Sequence, residues 1–151
     1  MANLVDSNQE MLSVKQIIEI AAENTESPFP PLAVVQGLKA EMAQPDSLPM
    51  RYGNTIFLCH KGKGRNGFFR ALNADTARNF VENGMRWVTA AYDAGFDFMV
   101  TEFSDPSLVN VFKAISKRPP RTNMGYQVRR MKGDNIQVVL QLGPKREGEK
   151  S

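Results

Sequence analysis

The segment spanning residues 96–115 constrains the fold most, because it predicts a strand that leads directly into a helix. Apolar residues occupy both alternating sets of positions over residues 96–103, which predicts a central strand covered on both faces. Pro106 fits the first turn of the following helix, where a missing N–H group costs nothing. Apolar residues then recur at helical spacing, and the spacing of Phe112 with Leu108, Val111 and Ile115 predicts that Phe112 is buried. A strand that runs into a helix creates an edge where α/β folds often build sites.

The length and composition predict one globular domain. The chain has 151 residues, of which 42% are hydrophobic and 23% charged, as in ordinary globular proteins. We expect a single domain over residues 1–142 and a charged flexible tail over residues 143–151. No apolar stretch is long enough to span a bilayer, so no membrane association is expected. A net charge of +3 is too small to predict nucleic-acid binding.

The cysteine and histidine content excludes two classes of site. Cys59 is the single cysteine and His60 the single histidine. One cysteine cannot form an internal disulfide, which is compatible with a reducing compartment. A multi-histidine metal site is excluded, and we predict no metal. Neighbouring residues on a strand face opposite ways, so Cys59 and His60 cannot form a nucleophilic dyad.

Periodicity and breakers predict four helices and five strands. A capping box at Ser7 and Glu10 predicts the start of the first helix, and Thr76 or Asp75 is expected to cap the third. Residues 44–54, with two prolines and a glycine, read as a loop. The first predicted helix ends near Glu23, and the other three span residues 31–42, 76–94 and 106–115. The predicted strands span residues 55–61, 68–73, 96–103, 125–131 and 136–142.

This order predicts an α/β (α+β) fold with a mixed sheet. The strands at residues 68–73 and 96–103 are separated by a helix, so they should lie parallel through a crossover connection. The remaining strands belong to hairpins and should be antiparallel. The glycine-rich residues 62–67 join two strands with no helix behind them, so they read as a flexible turn rather than a phosphate-binding loop.

The residues after the central strand carry a family resemblance. Asp105 precedes an apolar stripe that includes Leu108 and Phe112, and Gly125-Tyr126 follows after an insertion. With the element order over residues 68–142, this pattern resembles the GNAT superfamily of N-acetyltransferases. The resemblance implies a mostly antiparallel mixed sheet with a parallel central pair, flanked by helices on both faces.

The resemblance also identifies the positions where a cofactor would bind. GNAT enzymes hold the acetyl-CoA pyrophosphate on backbone N–H groups at a strand-to-helix junction, with the pattern Gln/Arg-x-x-Gly-x-Gly/Ala. Here Arg70 fits, but Asn73 and Asp75 stand at the two small positions. Glycine there would let the backbone approach the phosphates, and an aspartate sets a negative charge against them. We therefore predict no cofactor, with acetyl-CoA as the alternative.

The catalytic residues are similarly incomplete. Phe112 stands where the family keeps the tyrosine that acts as general acid, and a phenylalanine has no proton to give. If the chain is active, the resemblance and the residue types leave Glu102, Asp97 and His60 as candidates for a general base, with Glu102 and His60 preferred. Each also has a plainer interpretation, as a solvated strand-end carboxylate and as a structural histidine.

A second resemblance suggests a role in place of catalysis. The chain is similar to small GNAT-like internal virion or assembly proteins of short-tailed bacteriophages, which implies a phage virion or the host cytoplasm as its location. Its partners would be other phage or host proteins, and the alternative is an active acetyl-CoA-dependent N-acetyltransferase. Basic residues of the first hairpin tip and of a proline-rich loop are the expected partner-binding residues: Lys61, Lys63, Arg65, Arg118 and Arg121.

Overall fold

The sheet and its helices follow the predicted order. The computed structural model describes residues 11–24, 29–103, 105–117, 125–130 and 135–143. These residues form one six-stranded mixed sheet with helices on both faces. The elements are α1 (Val14–Glu23), α2 (Pro31–Met42), β1 (Ser47–Tyr52), β2 (Thr55–Lys61), β3 (Asn66–Asn73), α3 (Ala77–Asp93), β4 (Phe98–Phe103), α4 (Ser107–Lys117), β5 (Gly125–Arg130) and β6 (Ile136–Gln141).

The sheet contains the predicted parallel pair at its centre. The strand order is β1-β2-β3-β4-β6-β5. Only β3 and β4 are parallel, with α3 between them in the chain, and the other neighbours are antiparallel. The parallel register runs from Asn66↔Phe98 to Phe68↔Val100, whereas β3 stays paired with β2 as far as Asn73. The two central strands therefore splay apart after Phe68 and Val100.

Each face of the sheet has its own core. The larger core lies under α3 and α4 and is aromatic: Trp87 is fully buried and stacks on Phe57 with ring centroids 4.6 Å apart. The smaller core lies under α1 and α2, where Ile17 and Leu38 pack with Ile56 of β2. Alternation along β2 and β3 assigns successive side chains to opposite cores.

The predicted loop at residues 44–54 is wrong in part, because it contains β1. This strand pairs with β2 along its whole length, and Pro49 lies opposite Leu58. Proline is tolerated here because β1 is an edge strand of the described sheet, so one side of its backbone needs no ladder hydrogen bond. Gly53 then forms the turn into β2 with a positive φ of 56°.

The predicted start of the first helix is also wrong. Residues 11–13 are not helical, and α1 begins at Val14. Its N-cap is Ser13, whose hydroxyl accepts from the Gln16 backbone N–H while the Gln16 side chain accepts from the Ser13 N–H. The capping box is real, but it belongs to this pair; Ser7 and Glu10 lie outside the described residues.

The central strand is covered less completely than predicted. Met99 is fully buried under α3 and α4, but Phe98 on the opposite face remains 41% exposed. The helices described on that face, α1 and α2, contact β3 and β1 instead. Among the described elements, coverage from both sides therefore stops at β3, and Phe98 and Glu102 on the same face of β4 are exposed.

The other turns and helix caps agree with the predictions made from the sequence. Thr76 caps α3 by accepting a hydrogen bond from the Asn79 backbone N–H. Gly95 lies just after the C-terminal end of α3 and has a φ of 111°. At the start of α4 the Asp105 carboxylate accepts from the Ser107 hydroxyl and backbone N–H, which lowers the pKa of Asp105. Both hairpins are confirmed. None of the helices in the described ranges is long and apolar enough to cross a membrane.

The domain boundary at residue 142 remains a prediction. Leu142 is fully buried, and its N–H donates to the Asp97 carbonyl. Gly143 packs closely on the Tyr92 ring: a Cβ atom added at this position would lie only 2.7 Å from a ring carbon. The rest of the predicted tail lies outside the described residues.

Candidate functional site

The junction between β3 and α3 is closed by a polar network. The Asp75 carboxylate accepts from the Asn54 backbone N–H and from the Asn83 side-chain amide, both at 2.8 Å. Asn83 is buried and also donates to the Thr55 hydroxyl at 3.0 Å. A Cβ at Gly53 would lie 2.9 Å from the Asn83 side chain, so the β1–β2 turn needs glycine for space as well as for its φ.

Asn73 completes this network. Its side-chain oxygen accepts from the Thr55 hydroxyl at 2.7 Å and from the Asp75 backbone N–H at 3.1 Å. The neighbouring Ala74 N–H donates to the Asn54 carbonyl at 2.9 Å. Two backbone amides of the junction are therefore already bonded within the protein. Asn73 is directed at β2, so it does not fill the splay between β3 and β4.

Phe112 closes the splay from the α4 side. It is only 2% exposed, which confirms its predicted place in the core. Its ring centroid lies 5.7 Å from that of Phe69 on β3 and 5.7 Å from that of Phe103 on β4. One side chain of α4 thus contacts both diverging strands.

A cavity occupies the splay on the opposite face of the sheet. Its volume is about 190 Å³. It brings together Glu102 and His60, the two preferred candidate bases, with Arg70 of the cofactor junction, whereas Asp97 is not among its lining residues. These three residues come from β4, β2 and β3, so pairing of the strands is what assembles them. The lining residues are Glu41, His60, Phe68, Phe69, Arg70, Val100, Thr101 and Glu102.

Glu41 is a site residue that the sequence analysis missed. Its Oε2 atom lies 2.8 Å from the His60 Nε2 atom and 3.4 Å from the Arg70 Nε atom. One carboxylate on α2 therefore holds two side chains of the sheet. A signal did exist: Glu41 follows the buried Leu38 by three residues, which places both on one face of a helix.

Cys59 takes no part in this site. It is fully buried on the aromatic side of the sheet, where the Trp87 Nε1–H donates to its sulfur at 3.3 Å. Burial raises the pKa of the Cys59 thiol to about 11. The thiol stays protonated at neutral pH, which excludes it as a nucleophile. His60 lines the cavity on the other face, so the two neighbours are separated as expected.

The predicted partner-binding residues do not all fall within the described structure. Lys61, Lys63 and Arg65 are exposed at and beside the β2–β3 turn. That turn is closed by hydrogen bonds from Gly62 N–H to the Asn66 carbonyl and from Asn66 N–H to the Lys63 carbonyl. The remaining two, Arg118 and Arg121, lie outside the described residues. Across the described ranges, no group of three His, Cys, Asp or Glu side chains could hold a metal ion.

Solved structures show which fold this architecture represents. The crystal structure of the ribosomal-protein-S18-alanine N-acetyltransferase from Escherichia coli is similar, with a TM-score of 0.53, 8% identity, and coverage of 94% of this chain and 97% of that chain. An acetyltransferase of the GNAT family from Streptococcus pneumoniae gives a TM-score of 0.44, 10% identity, and coverage of 89% and 98%. No protein-family model and no curated protein matches the sequence. The first of these structures, with a TM-score above 0.5, shows that the chain has the predicted GNAT-like fold.

Proposed function

We propose that this GNAT-fold protein has lost acetyl transfer and acts as a bacteriophage virion or assembly component through protein–protein contacts. The observation that supports the proposed loss of activity is the closed β3–α3 junction. The Ala74 and Asp75 amides already donate to Asn54 and Asn73. A bound pyrophosphate would have to break these bonds and lie beside the Asp75 carboxylate.

The splay between β3 and β4 supports the same proposal. Phe112 lies across it and cannot protonate a leaving thiolate. The cavity on the other face measures about 190 Å³, below the ~300–1,000 Å³ of ordinary small-molecule sites. Within the described residues, neither face of the splay therefore combines a cavity of that size with a tyrosine at the position of Phe112.

The phage role rests on the resemblance to GNAT-like proteins of short-tailed bacteriophages. In this proposal the protein acts in the virion or the host cytoplasm and contacts phage or host proteins. The exposed basic residues Lys61, Lys63 and Arg65 form one contact surface, and Arg118 with Arg121 contributes a second. Proline at positions 119 and 120 limits the ordering cost when that loop binds.

An active acetyl-CoA-dependent N-acetyltransferase is the second candidate function. The observation in its favour is the cavity, in which His60 lies 2.8 Å from Glu41 and whose lining also includes Glu102. A histidine oriented by a carboxylate is a reasonable general base. This reading still requires a pyrophosphate site, and the closed junction argues against one.

Acetyl-CoA is expected to leave the melting temperature unchanged at submillimolar concentration. A ligand at 100 times its Kd stabilises a folded protein by ~2.7 kcal/mol, which thermal denaturation detects readily. Free CoA is the matched control, because it carries the same pyrophosphate. A clear upward shift with acetyl-CoA, together with release of CoA in the presence of amines, would favour the second candidate.

The phage role predicts that the protein purifies with particles or assembly intermediates from infected cells, as detected by mass spectrometry. Replacing both Arg118 and Arg121 with glutamate should reduce its incorporation, because charge reversal opposes a contact surface. Arg86→Glu on the exposed side of α3 is the control and should be incorporated normally. Absence from particles and intermediates, with normal infection by the double variant, would refute the role.

A further inference from the structure

We infer that the cavity between the splayed strands binds an arginine side chain presented by an extended segment of a partner protein. The inference rests on the proposed function, since it names the chemistry by which the protein would dock. It concerns the open face of β3 and β4, which the basic contact surfaces described above do not include.

The strand edges inside the splay can accept an extended segment. β3 pairs with β4 only through Phe68 but continues to Asn73. β4 pairs with β6 along its whole length, from Phe98 to Phe103. In the described ranges no strand therefore lies between the later halves of β3 and β4. A partner segment can bind to such an edge through main-chain hydrogen bonds.

The charges of the lining select a cation. Glu41 and Glu102 contribute two carboxylates and Arg70 one guanidinium, so the formal charge of the acidic and basic side chains in the lining, with histidine left out, is −1. The Glu41 carboxylate already contacts His60 and Arg70. Glu102 is exposed, and its Oε2 accepts from the Gln137 amide at 3.3 Å. A carboxylate has about four acceptor positions, so Glu102 keeps capacity for a bidentate partner.

The aromatic part of the lining selects arginine among cations. Phe68 is 56% exposed and lines the cavity together with Glu102. A guanidinium group is planar, so it can stack on an aromatic ring and pair with a carboxylate through two parallel hydrogen bonds. An ammonium group is more strongly hydrated and lacks the two parallel N–H donors that a bidentate contact with a carboxylate requires. A cavity of about 190 Å³ suits one long side chain.

The test uses the full chain and three acetylated, amidated heptapeptides of alternating valine and threonine with a central arginine, lysine or glutamine. Binding is followed by NMR chemical shifts. The arginine peptide should shift amides of β3 and β4 and bind about tenfold more tightly than the lysine peptide. Glu102→Gln should weaken it about tenfold, and Phe68→Leu severalfold. Glu82→Gln, an exposed carboxylate on α3, is the control and should bind normally.

Any of the following results would overturn the inference: no chemical-shift changes in β3 and β4 at millimolar arginine peptide, equal affinity for the arginine and lysine peptides, or an unchanged affinity of the Glu102→Gln variant for the arginine peptide. Preferential binding of a thymidine oligonucleotide at this face would do so as well. A melting curve of each variant shows that it is folded. Acetyl-CoA is titrated separately: its binding contradicts the proposed function, whereas failure of the arginine peptide without acetyl-CoA binding contradicts this inference alone.

Discussion

Replacing Phe112 with alanine is expected to lower the free energy of unfolding by about 3–5 kcal/mol. The side chain is 2% exposed, and its ring contacts Phe69, Phe80 and Phe103. Removing it leaves a cavity between α4 and both splayed strands, which rigid aromatic neighbours fill poorly. Urea denaturation of the two proteins measures the difference.

The same change on the surface is the control for this experiment. Phe29 is 67% exposed, so Phe29→Ala should cost less than about 1 kcal/mol. A similarly small loss for Phe112→Ala would show that the ring does not support the splay. Phe112→Tyr should give no acetyl transfer, because the β3–α3 junction stays closed. Measurable transfer by that variant would contradict the proposed function.

Asp75→Ala is expected to cost about 3 kcal/mol, because it removes the acceptor of several hydrogen bonds at once. The Asn54 backbone N–H and the Asn83 amide would both lose a carboxylate partner at 2.8 Å. Both residues are buried, with 3% and 5% exposure, so water cannot easily replace the lost acceptor. Thermal and urea denaturation should agree in direction.

Two further variants distinguish the loss of the Asp75 hydrogen-bond network from the loss of a negative charge as the cause of destabilisation. Asp75→Asn keeps one acceptor oxygen, so it should destabilise less than the alanine variant. Asp46 is exposed, and Asp46→Ala should change stability by less than about 0.5 kcal/mol. If Asp75→Ala unfolds at the same urea concentration as Asp46→Ala, the junction is not held by this network.

The proposed function implies that this fold has exchanged catalysis for stability. The resemblance to GNAT enzymes places Asp75 and Phe112 at the positions that those enzymes use for the cofactor and the leaving thiolate. Asp75 is bonded to the β1–β2 turn, and Phe112 is packed in the aromatic core. Under the proposed function, side chains that stabilise the fold occupy the positions where a GNAT enzyme contacts its cofactor.

Local physical chemistry in the sequence determined most of the elements. Pro31 begins α2 because its fixed φ and missing N–H suit a first turn. Gly95 follows α3 because a φ of 111° excludes most side chains. Phe112 was predicted to be buried from its helical spacing with Leu108 and Ile115. Each of these signals acts within a few residues of the chain, so it can be recognised without knowing the fold.

The tertiary structure decided β1 and the contents of the cavity. Pro49 predicts a loop locally, and only its position on an edge strand makes it compatible with a sheet. The contact between Glu41 and His60 joins residues 19 positions apart. It depends on how α2 packs across β2 and on where β3 leaves β4. These are relations between elements, and hydrophobic periodicity fixes which face of an element is buried but not what lies opposite it.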